Sequence, residues 1–124
     1  MNQNRREKVL IVDDSEMVRN FHSYIIKMLG YQTVTAENGA VALEKLLGEE
    51  YHLLITDINM PIMDGYELIR NVRDNGIEIP IIVISTEEEY RSRFTGVEPG
   101  PSLHMVKPTD PEKLISTIKM LLLA

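Results

Sequence analysis

Five short apolar runs punctuate the chain, and each gives way to a longer segment in which apolar positions recur every three to four residues. The runs fall at residues 9–12, 31–36, 53–57, 81–85 and 103–106. The first, third and fourth are apolar nearly throughout, the pattern of strands buried on both faces of a parallel sheet. The second, Tyr31-Gln32-Thr33-Val34-Thr35-Ala36, alternates and predicts a more exposed strand near the sheet edge.

The intervening segments read as helices. In the first, Val18, Phe21, His22, Ile25 and Leu29 mark a buried face, with Ser15 as cap, Glu16 near the positive end and Gly30 as stop. In the second, Ala40, Leu43, Leu46 and Leu47 point inward and Gly48 ends the helix. The third opens on the capping-box spacing Asp64-Gly65-Tyr66-Glu67, packs Leu68, Ile69 and Val72, and stops at Asp74-Asn75-Gly76. The fourth, residues 87–94, is expected to be short, because the Gly- and Pro-containing residues 95–101 cannot continue it and predict an irregular loop. The last opens on Thr109-Asp110-Pro111-Glu112 and packs through Leu114, Ile115, Ile118, Leu121 and Leu122. Strand and helix alternating five times predict a doubly wound (βα)5 α/β sandwich: one five-stranded parallel sheet with helices on both faces. Pro80 suits the first position of the fourth strand, where its missing donor costs least.

Bulk properties narrow the classes. With 124 residues the chain suits one domain, read as a flexible leader at residues 1–6 and the folded domain at 7–124. A net charge of −6 argues against general nucleic-acid binding and against an anionic membrane surface. The lack of cysteine excludes disulfides, thiolate catalysis and Cys-ligated metal sites. No stretch approaches the ~20 apolar residues of a membrane span, and the polar start lacks a signal-type core, so the expected location is the cytoplasm. The terminal Met120-Leu121-Leu122-Leu123 run reads as core, and His22, with no second ligand suitably spaced, as a packed histidine.

The chemistry sits where the apolar runs stop. The first strand ends in Asp13-Asp14, the central one in Asp57, the fourth in Ser85 and the fifth in Lys107-Pro108. In a parallel sheet these ends share one edge, the place where open α/β folds bind ligands. Three ionised carboxylates there would repel, and a bound cation relieves this. Oxygen-only ligands suit a hard ion of the Mg²⁺ type. Lys107 adds a fixed positive charge, and Ser85 a hydroxyl that can donate to a phosphoryl oxygen. Asp57, alone at the end of the central strand, is the candidate nucleophile for phosphoryl transfer through an acyl phosphate. A lone Asp after a strand more often caps a turn or helix, as Asp14 or Asp64 can. The acid–acid, acid, hydroxyl and Lys-Pro set at four strand ends is far more specific.

Val12-Asp13-Asp14-Ser15, Thr56-Asp57-Ile58-Asn59-Met60-Pro61-Ile62-Met63-Asp64-Gly65, Pro80 to Ser85 and Val106-Lys107-Pro108 together resemble the receiver domains of two-component response regulators. The Asn-Met-Pro-x-Met-Asp-Gly run is similar to that of the single-domain chemotaxis regulators in particular. The resemblance covers nearly the whole chain and implies the flavodoxin-like strand order 2-1-3-4-5. It implies that Asp57 accepts a phosphoryl group from a sensor histidine kinase or phosphotransfer protein. It also implies that Asp14, Asp57 and the Asn59 backbone carbonyl ligate Mg²⁺ (or Mn²⁺), with Asp13 acting through water. Lys107 would contact the phosphoryl group, and Ser85 would be the switch hydroxyl. Asn59 and Glu87 occupy positions that tune autodephosphorylation. The output face would be formed by the fourth helix, fifth strand and fifth helix, in a monomer or weak dimer that turns over no external substrate.

Departures from the pattern cluster on that face: His104 where Tyr or Phe is usual, Thr86 for Ala, Pro99-Gly100-Pro101 for Ala-Gly-Ala, and Thr109 for Phe. An imidazole at 104 can still act as a switch residue and add pH dependence. The rival readings are a degenerate receiver working as a phosphorylation-independent interaction module, a Mg²⁺-dependent phosphatase, and a flavin-binding flavodoxin. The complete acid–lysine–serine set speaks against the first, and Asp57-Ile58-Asn59 lacks the second acid that the phosphatase needs. Asp13-Asp14 in place of a hydroxyl-rich phosphate loop speaks against the flavodoxin.

Overall fold

The computed structural model describes residues 7–94 and 100–123. Its elements are β1 (Lys8–Val12), α1 (Glu16–Met28), β2 (Gln32–Ala36), α2 (Gly39–Gly48), β3 (Leu53–Asp57), α3 (Gly65–Asp74), β4 (Ile81–Ser85), α4 (Glu87–Arg93), β5 (Leu103–Val106) and α5 (Pro111–Leu123). The strands form one sheet in the order β2-β1-β3-β4-β5, and every pairing is parallel. This is the doubly wound, flavodoxin-like arrangement expected from the alternation and the resemblance. The leader at residues 1–6 and the loop residues 95–99 lie outside the described residues.

The inner strands β3 and β4 are buried at every position, which explains their unbroken apolar sequences, whereas the edge strand β2 is buried only at Ala36. Because strand side chains alternate faces, the core divides in two. Leu10, Val12, Leu54, Ile81 and Val83 meet Leu46, Leu68 and Val72 of α2 and α3 on one face. Val9, Ile11, Ile55, Ile82 and Ile84 meet Ile26, Leu114 and Ile118 of α1 and α5 on the other.

Ser15 and Asp64 cap α1 and α3 as expected, and Asn38 and Thr86 cap α2 and α4. Ser15 accepts from the Val18 N–H, Asn38 from Val41, and Asp64 and Thr86 each close a reciprocal capping box, with Glu67 and Glu89 respectively. Gly30, at φ 95°, takes the left-handed turn after α1.

Two helical faces differ in part from expectation, with His22, Ile25 and Leu46 buried as expected and Phe21 and Leu47 exposed. On α1 the buried residues are His22, Ser23, Ile25 and Ile26, while Phe21 is 48% exposed. A second apolar stripe, Met17, Phe21, Tyr24 and Met28, runs along the solvent side, so apolar spacing alone did not define the face. Ser23 is admitted to the interior because its hydroxyl pairs with that of Thr33 at 2.8 Å. On α2, Gly39, Ala42 and Leu46 are buried and Leu47 is 55% exposed. The Gly39 N–H donates to the Met63 carbonyl at 2.9 Å, which sets the phase of that helix.

Gly65 shows how closely the site loop is packed. Its N–H donates to the Ile58 carbonyl at 2.7 Å, and a Cβ there would lie 2.1 Å from the Asp57 carbonyl oxygen and 2.9 Å from Ile58 Cα. Gly65→Ala is therefore expected to destabilise the fold by about 1–3 kcal/mol. Gly48→Ala, at a helical site with nothing within 4 Å, is expected to be neutral or stabilising by up to about 1 kcal/mol. Urea unfolding midpoints check both.

Candidate functional site: an acidic pocket at the carboxyl edge of the sheet

The parallel register brings the strand ends together. Val12 pairs with Thr56, Asp57 with Ile84, and Ser85 with Val106, so Asp13, Asp57, Ser85 and Lys107 emerge at one edge. Carboxylate oxygens of Asp13, Asp14 and Asp57 all lie within 4.8 Å of one another. Asp13 and Asp57 are buried, and Asp14 stands exposed at the rim. Ser15, and not Asp14, caps α1.

Each buried acid is held by local geometry. Asp57 Oδ1 accepts the Ile58 N–H at 2.7 Å, and the Lys107 ammonium lies 3.0 Å from both Asp57 oxygens. Asp13 Oδ1 accepts the Ser15 N–H at 2.9 Å, and the Arg19 guanidinium donates to the Asp13 carbonyl at 2.7 Å. The Lys107–Pro108 peptide bond is cis. A cavity of about 750 Å³ opens beside these groups, lined by Asp13, Asp57 and Lys107 and by Phe21, Pro108 and Thr109. His22 lines the same cavity, and burial holds its pKa below the ordinary value. It is the packed histidine expected.

Electrostatics follow from burial. Desolvation raises the Asp57 pKa above the usual carboxylate value of 3.8, against the hydrogen bond and charge of Lys107. Asp13 is raised for the same first reason, with its Ser15 hydrogen bond opposing. Burial works to lower the Lys107 pKa, but the Asp57 hydrogen bond and charge outweigh it and the net direction is upward. The ion pair favours both charged partners. Burial prevails over it on the nearly enclosed acid but not on the more exposed lysine. A divalent cation fits here on chemical grounds, since the donors are hard oxygens carrying an excess of negative charge.

The loop after β3 is pinned and strained. Ile62 has φ 71°, uncommon for a β-branched residue, while Met63 N–H donates to the Pro61 carbonyl and Gly39 N–H to the Met63 carbonyl. Asn59, exposed on this loop, donates through its amide to Glu89. Glu87, the other residue expected to tune autodephosphorylation, pairs with Arg91 at 3.5 Å. The difference is helical geometry. Glu87 is the first residue of α4 and faces outward, whereas Glu89 folds back to close the Thr86 cap and so reaches the loop. The sequence signal for this was the Thr86-x-x-Glu89 spacing. Ser85 is completely buried, and its hydroxyl contacts His104 Nε2 at 2.9 Å and donates to the Thr86 carbonyl at 3.0 Å.

A five-stranded doubly wound fold with an acidic pocket, a lysine and a buried hydroxyl at its carboxyl edge defines a phosphoacceptor signalling module. The chain belongs to the response regulator receiver domains, whose family pattern matches residues 9–119. Members of this family serve as phosphoacceptors in two-component systems and interact with histidine kinases or phosphotransfer proteins. Among relatives, the chain is 37% identical over 117 residues to a probable transcriptional regulator, ycf27, of Guillardia theta, covering 94% of this chain and 46% of the relative. It is 34% identical over 122 residues to the transcriptional regulatory protein ResD of Bacillus subtilis, covering 98% and 50%. The chain thus spans about half the length of the curated relatives it matches. Among solved structures it is similar to the chemotaxis response regulator CheY4 of Vibrio cholerae, with 32% identity, a TM-score of 0.82 and coverage of 95% of this chain and all of that one. It is likewise similar to the response regulator TrrA of Thermotoga maritima in complex with Mg²⁺–BeF, with 31% identity, a TM-score of 0.84 and coverage of 94% and 99%. No helix among the described residues is long and apolar enough to cross a membrane.

The raised carboxyls give a signed expectation. Stability from Asp13 and Asp57 is complete below the ordinary value of 3.8 and is lost as pH rises through their higher folded values. At neutral pH without metal, their ionised forms therefore oppose folding. Asp13→Asn, which keeps an acceptor for the Ser15 N–H, is expected to raise the melting temperature by a few degrees. Mg²⁺ is expected to raise that of the unaltered protein more than that of the variant. Thermal melts from pH 4 to pH 8, with and without Mg²⁺, read both effects.

Proposed function

We propose that this chain is a phosphorylation switch in which Asp57 takes a phosphoryl group from the phosphohistidine of a sensor histidine kinase or phosphotransfer protein. The observation that carries this reading is a buried Asp57 paired with Lys107 and crowded by two further carboxylates at a strand end. An Asp57 oxygen attacks phosphorus and forms the P–O bond. The P–N bond to the donor imidazole breaks, and its electron pair stays on the imidazole nitrogen.

Asp14, Asp57 and the Asn59 carbonyl would hold Mg²⁺ (or Mn²⁺), with Asp13 acting through water. The ion, when bound, offsets the charge of the carboxylates and the phosphoryl oxygens. Lys107 shifts from the carboxylate to a phosphoryl oxygen and keeps its charge within the pocket. Ser85 donates to another phosphoryl oxygen. Asn59 and Glu87 tune the access of a hydrolytic water, and Glu89 holds the Asn59 amide in place.

The new charge biases the α4–β5–α5 surface toward a second conformation that a downstream protein recognises. The chain promotes its own phosphorylation and dephosphorylation, turns over no external substrate, contacts no nucleic acid directly, and acts in the cytoplasm as a monomer or weak dimer. Intact mass after incubation with a small acyl phosphate and Mg²⁺ tests the proposal. The expected gain is one phosphoryl group, dependent on Mg²⁺ and lost in Asp57→Asn. A gain that survives this substitution assigns the acceptor to another acid. No gain, with Mg²⁺ binding also absent, leaves an interaction module that works without phosphorylation.

A further inference from the structure

The cavity beside the acids is far larger than a phosphoryl group and an ion require. Its volume of about 750 Å³ falls within the range of small-molecule pockets, about 300–1,000 Å³. Besides Asp57 and Lys107 it is lined by Met17 and Phe21 of α1, Ile84 of β4 and Pro108. Met17 is 80% exposed and Phe21 48%. Apolar side chains left open to water beside a charged centre gain from any apolar body that covers them. Thr109 lines the cavity too, at the position after Lys-Pro where the receiver pattern has Phe, so a small side chain stands where a ring is usual. Tyr24 and Met28, the other two residues of the exposed α1 stripe, are not among the lining residues. The apolar lining therefore belongs to the site and not to the whole helix face.

We infer that this cavity receives the acyl group of an acyl phosphate whose acyl part is apolar and larger than acetyl, with Met17 and Phe21 as the residues that select it. The inference rests on the phosphoacceptor reading above and names the class of small donor that the same site prefers. The two halves of such a molecule match the two kinds of lining. The phosphoryl group brings negative charge, and Lys107 together with a cation held by the acids offsets it. The acyl body is uncharged until it leaves, and it gains from apolar cover. An Asp57 oxygen attacks phosphorus and forms one P–O bond. The P–O bond to the acyl group breaks, and its electron pair departs on the carboxylate. No further reactant is needed. Apolar cover that persists into the transition state raises the rate of transfer, whereas acetyl has only a methyl group to cover. The exposed side chains of Met17 and Phe21 leave the carboxylate product a way back to water.

Acetyl phosphate and cyclohexanecarbonyl phosphate make the comparison, because both release an aliphatic carboxylate of similar basicity and they differ in apolar bulk. The readout is the second-order rate of Asp57 phosphorylation with Mg²⁺, followed by intact mass. It is expressed as the ratio of the two donors within each preparation, so that any loss of folded protein cancels. The bulky donor is expected to react about tenfold faster with the unaltered protein. Phe21→Ala is expected to lower that ratio about threefold or more, while Phe21→Leu, which keeps an apolar side chain, retains most of it. Tyr24→Ala, on the same exposed stripe but outside the cavity lining, is expected to leave the ratio unchanged.

Equal rates for the two donors in the unaltered protein overturn the inference. So does a preference that Phe21→Ala leaves intact, or that Tyr24→Ala lowers as much. Any of these results, with acetyl phosphate still reacting at Asp57, leaves the phosphoacceptor reading standing. If neither donor phosphorylates any preparation, that reading fails and this inference fails with it.

Discussion

Three carboxylates drawn within 4.8 Å of one another, two of them shielded from water, are the constraint around which this molecule is arranged. Burial opposes their ionisation, and proximity opposes it further. The fold tolerates the arrangement because Lys107 reaches across from the fifth strand to both oxygens of Asp57, and backbone N–H groups of Ile58 and Ser15 take one oxygen of each buried acid. What remains is an excess of negative charge at the mouth of an open cavity. Such a site favours a divalent cation and responds to any group that brings further charge. The two core clusters, the parallel sheet and the tight Gly65 contact all serve to keep those acids where solvent does not relieve them.

Rigidity is unevenly distributed around that charge. The inner strands are buried at every position, and α3 begins against the backbone of Asp57 and Ile58 with no space for a side chain. By contrast, α4 has no buried residue. It is attached by the Asn59–Glu89 contact, the Arg93–Asp64 ion pair at 2.9 Å and the ring series from His104 to Tyr66. Two of these attachments begin at residues that border the site, Asn59 on the β3 loop and His104 beside Ser85. Local stability is lowest where buried apolar contact is least. A change of charge at Asp57 therefore meets one firm wall and one wall held by contacts that the site itself influences. That asymmetry supports the proposed switch and needs no long-range path.

Sequence patterns read the architecture well where burial is extreme and poorly where it is partial. The unbroken runs of β3 and β4 and the alternation of β2 translate directly into inner and edge strands. The caps at Ser15 and Asp64 and the turn at Gly30 were legible because each depends on residues adjacent in sequence. The faces of α1 and α2 are legible only in part, since His22, Ile25 and Leu46 are buried as their spacing predicts and Phe21 and Leu47 are not. On α1 two apolar stripes compete, and only contact with the sheet decides that Ile26 enters while Phe21 stays outside. On α2 the decision is made by the hydrogen bond from Gly39 to Met63, two residues that share no local signal.

The candidate site divides along the same line. Composition and order of residues determined that three acids, a hydroxyl and a lysine stand at the ends of four strands, because a strand's last residue is set by where its apolar run stops. They determined the resemblance to receiver domains for the same reason. Only tertiary structure decided which groups touch. It turned Glu89, not Glu87, toward Asn59, since the capping box folds the third residue of α4 back over its start. It also joined Ser85 to His104, since the parallel register of β4 and β5 sets the two strands side by side. Distances between strands depend on packing summed over the whole core, and no stretch of sequence carries that sum.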